Sequence, residues 1–143
     1  MDKKRLSSIL QKAPSQAVQD LAYRCATGYP LQIIREPQKT LVMVRMRETV
    51  AKAEFYLCEV LACEAMVEVG SSKGFALFAG DDIPKVRAAA ILDALLNGQF
   101  AQREEILDAL TAMERIQQEQ ADTLLRAHAR SRVQFQTMDT DQP

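Results

Sequence analysis

An α+β domain is predicted: N-terminal helices, a central antiparallel sheet of four to five strands, and C-terminal helices packed on one face. Two observations carry the prediction. The hydrophobic period changes at Gly80, from extended stretches marked by Val60, Val67, Val69, Phe75 and Phe78 to Ala88, Ile91, Leu92 and Leu95 at the i, i+3, i+4, i+7 spacing of one helix face. The strands before that point follow one another through short connections, which favours antiparallel pairing over crossovers.

Each element has its own signal. Leu6, Ile9 and Leu10, then Ala17, Val18, Leu21, Ala22 and Cys25, predict two short helices broken at Pro14, with Ser15 as a cap. Gly28-Tyr29-Pro30 stops the second. Strands are predicted at about 31–36, 40–47, 54–58, 60–69 and 74–79, the third and fourth readable as one bent strand. Gly70 and Gly74 bracket a five-residue hairpin connection. Asp82 can cap, Pro84 suits a first turn and Gly98 an end, which predicts a helix over about 84–98, with Ile91, Leu92 and Leu95 packed against a sheet face carrying some of Val42, Val44, Leu61 and Phe75. A last helix runs over about 102–130. Its seam of Ile106, Leu110 and Met113, with Ile116 beside it, turns polar at Gln117 and Gln120, so that part is expected to project or to lie on a partner. No repeat or linker divides the chain, so residues 1–143 read as a single domain with 131–143 an extended tail.

Composition excludes several classes. With 48% hydrophobic and 26% charged residues and only five Gly and five Pro, the chain is globular rather than disordered. A formal charge of −1 gives no general attraction to nucleic acid or to an anionic membrane surface. Arg45, Glu59, Glu64 and Glu68 interrupt the most apolar region, so no membrane span is expected. The N-terminus lacks an apolar core of signal-peptide length, and three cysteines suit reduced thiols; a cytoplasmic location is expected.

The search for catalytic chemistry yields little. A single His cannot build a Cys/His zinc site, and Cys58 and Cys63, five apart, point to opposite faces of a straight strand. Cys63 as a nucleophile lacks a base nearby in sequence, since His128 is remote. Asp81, Asp82 and Asp93 form a carboxylate set, but Asp82 is accounted for by capping and Asp93 falls on the opposite side of the helix from Ile91 and Leu95. No catalytic residue, metal site or cofactor is assigned. Two basic sets remain. Arg126, His128, Arg130 and Arg132 gather at the end of the last helix, where cations complement the macrodipole or grip an anion. Arg45 and Arg47 share one strand face, solvated or at a subunit interface. The tail adds a third candidate contact: from Arg132 to Met138 it alternates polar and apolar, which suits an extended segment laid in a partner groove or on its own domain through Phe135, Thr137 and Met138.

The order "Gly turn, strand, G-x-D, helix with Leu92-Asp93-Ala94-Leu95" resembles the G subunit of the bacterial carbon–phosphorus lyase core complex, PhnG. Ser131-Arg132-Val133-Gln134-Phe135-Gln136-Thr137-Met138 resembles the S/T-R/K-V-D-F-F-T-M signature near that family's C-terminus. Leu41 to Arg47 is similar to its apolar strand with paired arginines, and Phe55-Tyr56-Leu57-Cys58-Glu59-Val60 to its F-N-L-G-E-V. Departures are concentrated in charge. Where the family pattern carries arginines in E-V-L-V-T-R and G-R-D, this chain has Glu64 and Asp81; Glu48-Thr49-Val50-Ala51 replaces glycines, and Cys58 stands for another. Replacing a cation by an anion reverses the sign of every Coulomb interaction there.

The resemblance implies a subunit held with H, I and J proteins in an assembly that takes ATP and a phosphonate, joins the phosphonate to the ribose C1 and releases adenine. It implies a scaffold without catalytic residues of its own. Two other readings stand beside it: an independent small enzyme using Cys63 or the Asp81, Asp82 and Asp93 set, and an adaptor of the same fold without a phosphonate role.

Overall fold

The structure, a computed structural model, describes residues 1–133. The elements are α1 (Lys3–Lys12), α2 (Ser15–Ala26), β1 (Leu31–Arg47), β2 (Glu54–Val69), β3 (Ser72–Ala79), α3 (Ile83–Asn97) and α4 (Arg103–Ala129). The strands form one antiparallel sheet in the order β1-β2-β3, with helices before and after it in sequence as the periodicity predicts.

The sheet has three strands rather than four to five, because the expected breaks are irregularities within long strands. Pro37 lacks an N–H, but β1 is an edge strand and its register shifts between Arg35 and Gln38, which absorbs the missing donor. Opposite Val44 and Arg45, the pairing skips Leu57, so β2 bulges there and continues. The β2–β3 connection is also shorter than predicted. Val69 pairs with Ser72, leaving the two-residue loop Gly70-Ser71 with Gly70 at φ +61°, as a tight hairpin requires. Gly74 thus lies inside β3. A Cβ there would fall 2.8 Å from Ala94 Cα and closer still to Ala90 O and Ala94 N, so its missing side chain lets the backbone of α3 rest on the strand.

α3 is the centre of the molecule. Asp82 accepts a hydrogen bond from Lys85 N at 3.0 Å and Pro84 occupies the first turn, as predicted. The helix is buried almost all round, between the sheet and α2. Ile91, Leu92 and Leu95 are fully buried, but the sheet face they share a core with carries Ala65, Val67, Val69 and Phe78. Leu61 and Phe75 are 43% and 45% exposed, and Val42 and Val44 only half-buried. Phase and length explain the correction: Phe75 alternates with the core residues Gly74 and Ala76, Val42 and Val44 pair with Val60 and Cys58 on the face opposite Cys63, and Leu61, in phase with Cys63, lies beyond the point where β3 stops.

A helix buried on every side has no solvent face for Asp93, which is buried rather than turned outward. Its Oδ2 accepts from Phe75 N at 3.1 Å and from Asn97 Nδ2 at 3.2 Å, and Oδ1 meets the Lys3 ammonium. Lys3 also donates to Asn97 Oδ1 at 2.6 Å, tying α1 to α3 and β3.

Two helix details depart from expectation. Ser15 is the first residue of α2 rather than its cap; Pro14 takes the capping position, and the Ser15 hydroxyl accepts from Gln19 Nε2 at 3.1 Å. In α4, Ile106 and Leu110 are buried and Met113 half-buried. The polar turn that follows lies on α1: Gln117 donates to Ile9 O at 2.9 Å, and Arg5 grips Glu114 at 2.5 and 2.8 Å. From Gln118 to Ala129 every residue except Asp122 is exposed, so the projection begins after these contacts.

Candidate functional site

β3 pairs with β2 only as far as Ala62–Ala79, whereas β1 and β2 continue together to Arg47–Glu54. Residues 40–61 therefore leave the sheet as a two-stranded ribbon roughly 23 Å long at ~3.3 Å per residue. A lone two-stranded hairpin is marginal in water. This one carries nine of the 19 large apolar side chains that are exposed among the described residues, including Tyr56 at 63% and Val50 at 87%. The signal was present in the sequence as two long strands against one short one, but the bland alternation within each strand hid that no third strand accompanies them.

Arg45 and Arg47 lie at the far end of the ribbon and converge on one carboxylate. Arg45 Nη1 and Arg47 Nη2 each lie 3.0 Å from an oxygen of Glu54. Exposed pairs of this kind contribute little stability, about 0–1 kcal/mol, but they reduce the positive charge available to an outside anion. The turn between the strands is organised by Glu48, whose carboxylate accepts from Val50 N at 2.7 Å and Ala51 N at 2.6 Å, while Glu48 N donates to Ala53 O at 2.9 Å. That carboxylate satisfies two of the turn's donors, and Lys52 takes the left-handed conformation, at φ +54°, that a glycine would otherwise supply.

The second basic set stays on a separate element. Arg126, His128 and Arg130 are exposed on the projecting end of α4, where Arg126 and Arg130 line a shallow surface cleft with Thr123 and Ala127. Arg132 follows, exposed, just after the helix. Phe135, Thr137 and Met138 lie outside the described residues.

The alternative chemical sites are not assembled. Cys63 is buried, donates to Gly80 O at 3.3 Å, and has its thiol pushed up first by burial and then by the charge of Asp81, which disfavours the thiolate a nucleophile needs. Cys58 is exposed and Cys63 faces the core, so the two point to opposite faces. Asp81 and Asp82 are exposed at the start of α3, while Asp93 is eleven residues further, about 16 Å along the helix. They form no set. Among the described residues no group of three or more His, Cys, Asp or Glu side chains is placed to hold a metal ion, and no helix is long and apolar enough to cross a membrane.

A family model described as phosphonate metabolism protein PhnG matches residues 1–139, nearly the whole chain. The chain belongs to the PhnG family. Membership places it in phosphonate metabolism. No curated protein matches the chain. The charge departures from the PhnG pattern have partners within the chain itself. Glu64 accepts from Gln38 Nε2 at 2.9 Å and from Arg35 at 3.1 Å, and these contacts, the amide foremost, hold its carboxyl below the usual carboxylate range despite some burial. Asp81 lies 3.7 Å from Lys39 Nζ. Both acids thus meet cations of β1, so the two sign changes leave no bare carboxylate at either place.

Proposed function

We propose that this PhnG protein is a non-catalytic subunit of the carbon–phosphorus lyase core complex, held with H, I and J subunits in the cytoplasm. In the assembly, the C1–N bond of ATP is exchanged for a C1–O bond to a phosphonate oxygen and adenine leaves, giving an α-D-ribose 1-phosphonate 5-triphosphate, the 1-methylphosphonate when the substrate is methylphosphonate. The observation that carries this reading is the family match over residues 1–139. The chain's own chemistry supports a scaffold role: its buried thiol is held neutral, its carboxylates are dispersed or structurally engaged, and its Arg45 and Arg47 are already paired. No cofactor is assigned to this subunit, and substrates are contacted by the assembly.

Co-expression with the H, I and J subunits, one of them tagged, tests the reading. The chain is expected to co-purify at fixed stoichiometry through a second, size-based column. An H-I-J assembly that forms and catalyses without it would overturn the proposal.

A further inference from the structure

The sheet face turned away from α3 carries an apolar patch that spans all three strands. Register fixes which side chains share it. Val42 pairs with Val60 and Met46 with Phe55, and Phe75 and Leu77 stand on the same side, opposite in phase to the core residues Cys63, Ala65, Val67 and Phe78. Val60, Met46, Phe55, Phe75 and Leu77 are exposed, and Val42 is half-buried. The other face of the ribbon is mixed. There Leu41 and Met43 stand with Glu59 and the cluster of Arg45, Arg47 and Glu54, as on an ordinary solvated sheet face.

Area and charge narrow the occupant. Three strands ~4.8 Å apart over the eight residues of β3, then two strands along the ~23 Å of the ribbon, give a face of roughly 600 Å² in projection. That reaches the ~600 Å² per partner at which specific, stable interfaces begin. The charges on this face cancel in place: Arg35 and Gln38 hold Glu64, and Glu68 sits opposite Lys73. Neutrality removes any selection for nucleic acid or anionic lipid, and with it the like-charge repulsion that would hold two identical faces apart. Sheets pack on sheets, ~10 Å apart with strands within about 30°, by interdigitating such apolar side chains. A two-fold axis supplies the second sheet from an identical chain.

We infer that two copies of this chain associate face to face through this patch, closing a two-layer sheet sandwich with the helices on its outer sides. The contact needs no other subunit, so it stands or falls apart from membership of the core complex. Sedimentation of the purified full chain should show a dimer, twice 16.0 kDa. Its dissociation constant is expected to rise about 30-fold or more in Phe75→Asp and in Val60→Asp, as for truncation of an interface hot spot. Both variants replace exposed side chains, so each should keep the wild-type circular dichroism spectrum. Leu41→Asp on the mixed face and Leu124→Asp on α4 should leave the dimer intact. The wild type offers a second readout. Cys58 lies on the patch opposite Val44, so its rapid reaction with a thiol reagent belongs to the dilute monomer and should slow as the protein concentration rises. A chain that is monomeric at every concentration, with Cys58 equally reactive throughout, overturns the inference. A dimer that Leu41→Asp or Leu124→Asp dissociates, and that Phe75→Asp and Val60→Asp do not, places the contact elsewhere and overturns it too. A monomer whose binding to the H, I and J subunits is weakened by Phe75→Asp makes the occupant another subunit, which overturns the second copy and leaves the subunit reading intact.

Discussion

Replacing Gly74 by Ala tests the most demanding contact of the fold. The new Cβ would fall 2.8 Å from Ala94 Cα and nearer to Ala90 O and Ala94 N, all backbone atoms of α3. Backbone cannot rotate away as a side chain can, and α3 cannot retreat, because α2 packs on the helix as well. The helix or the strand must shift, an overpacking of about 1–3 kcal/mol. A gain of about 0.4–1 kcal/mol from the stiffer unfolded chain offsets part of this. With neighbours this rigid the upper part of the range applies, for a net loss of about 2 kcal/mol. In a chain of this length each kcal/mol moves the melting midpoint by about 3–5 °C, so a fall of about 6–10 °C is expected by far-ultraviolet circular dichroism. A midpoint within about 1 °C of wild type would show that α3 does not lie on β3 at Gly74, and the layer order described above would be wrong.

Three further outcomes follow from the same structure. Leu95→Ala removes a fully buried side chain of α3 and should cost about 2–5 kcal/mol in chemical denaturation; an unchanged midpoint contradicts the core assignment. A thiol reagent should modify Cys58 rapidly and Cys25 and Cys63 slowly, since both of the latter are buried and burial pushes their thiols up; the fast phase should vanish in Cys58→Ser, and a second fast equivalent would contradict this. Glu64 is held below the usual carboxylate range, near 4.3 when unfolded, so the unfolded chain takes up its proton first on acidification. The stability it contributes is present above about pH 4.3 and is lost as pH falls through the lower folded value; Glu64→Gln should therefore flatten the acid limb of the stability curve, and an identical limb contradicts the pairing with Gln38 and Arg35.

Much of the fold was legible because its signals are local. The Asp82 cap, the Pro84 turn, the stripe of Ile91, Leu92 and Leu95, and the period change at Gly80 all act within a few residues. What escaped depends on distant neighbours. Pro37 looks like a strand break until its strand is known to be an edge. Phe75 and Leu61 look like core until β3 is seen to end opposite Ala62 and the alternation is anchored by Gly74 against α3. Asp93 looks exposed on a helical wheel, but its partners come from Lys3 and Phe75 N, ninety and eighteen residues away. The candidate site behaves in the same way. Arg45 and Arg47 were found, whereas the two-stranded ribbon that carries them could be seen only once β1 and β2 were known to outrun β3.

The central claim is that this chain supports phosphonate transfer without carrying out chemistry itself. Adenine release from ATP in the presence of a phosphonate, measured for the purified chain alone and for the reconstituted assembly with and without it, tests that directly. No release is expected from the chain alone, release from the complete assembly, and a large loss when this chain is omitted. Release by the isolated chain, abolished by Cys63→Ala or Asp82→Ala, would contradict it.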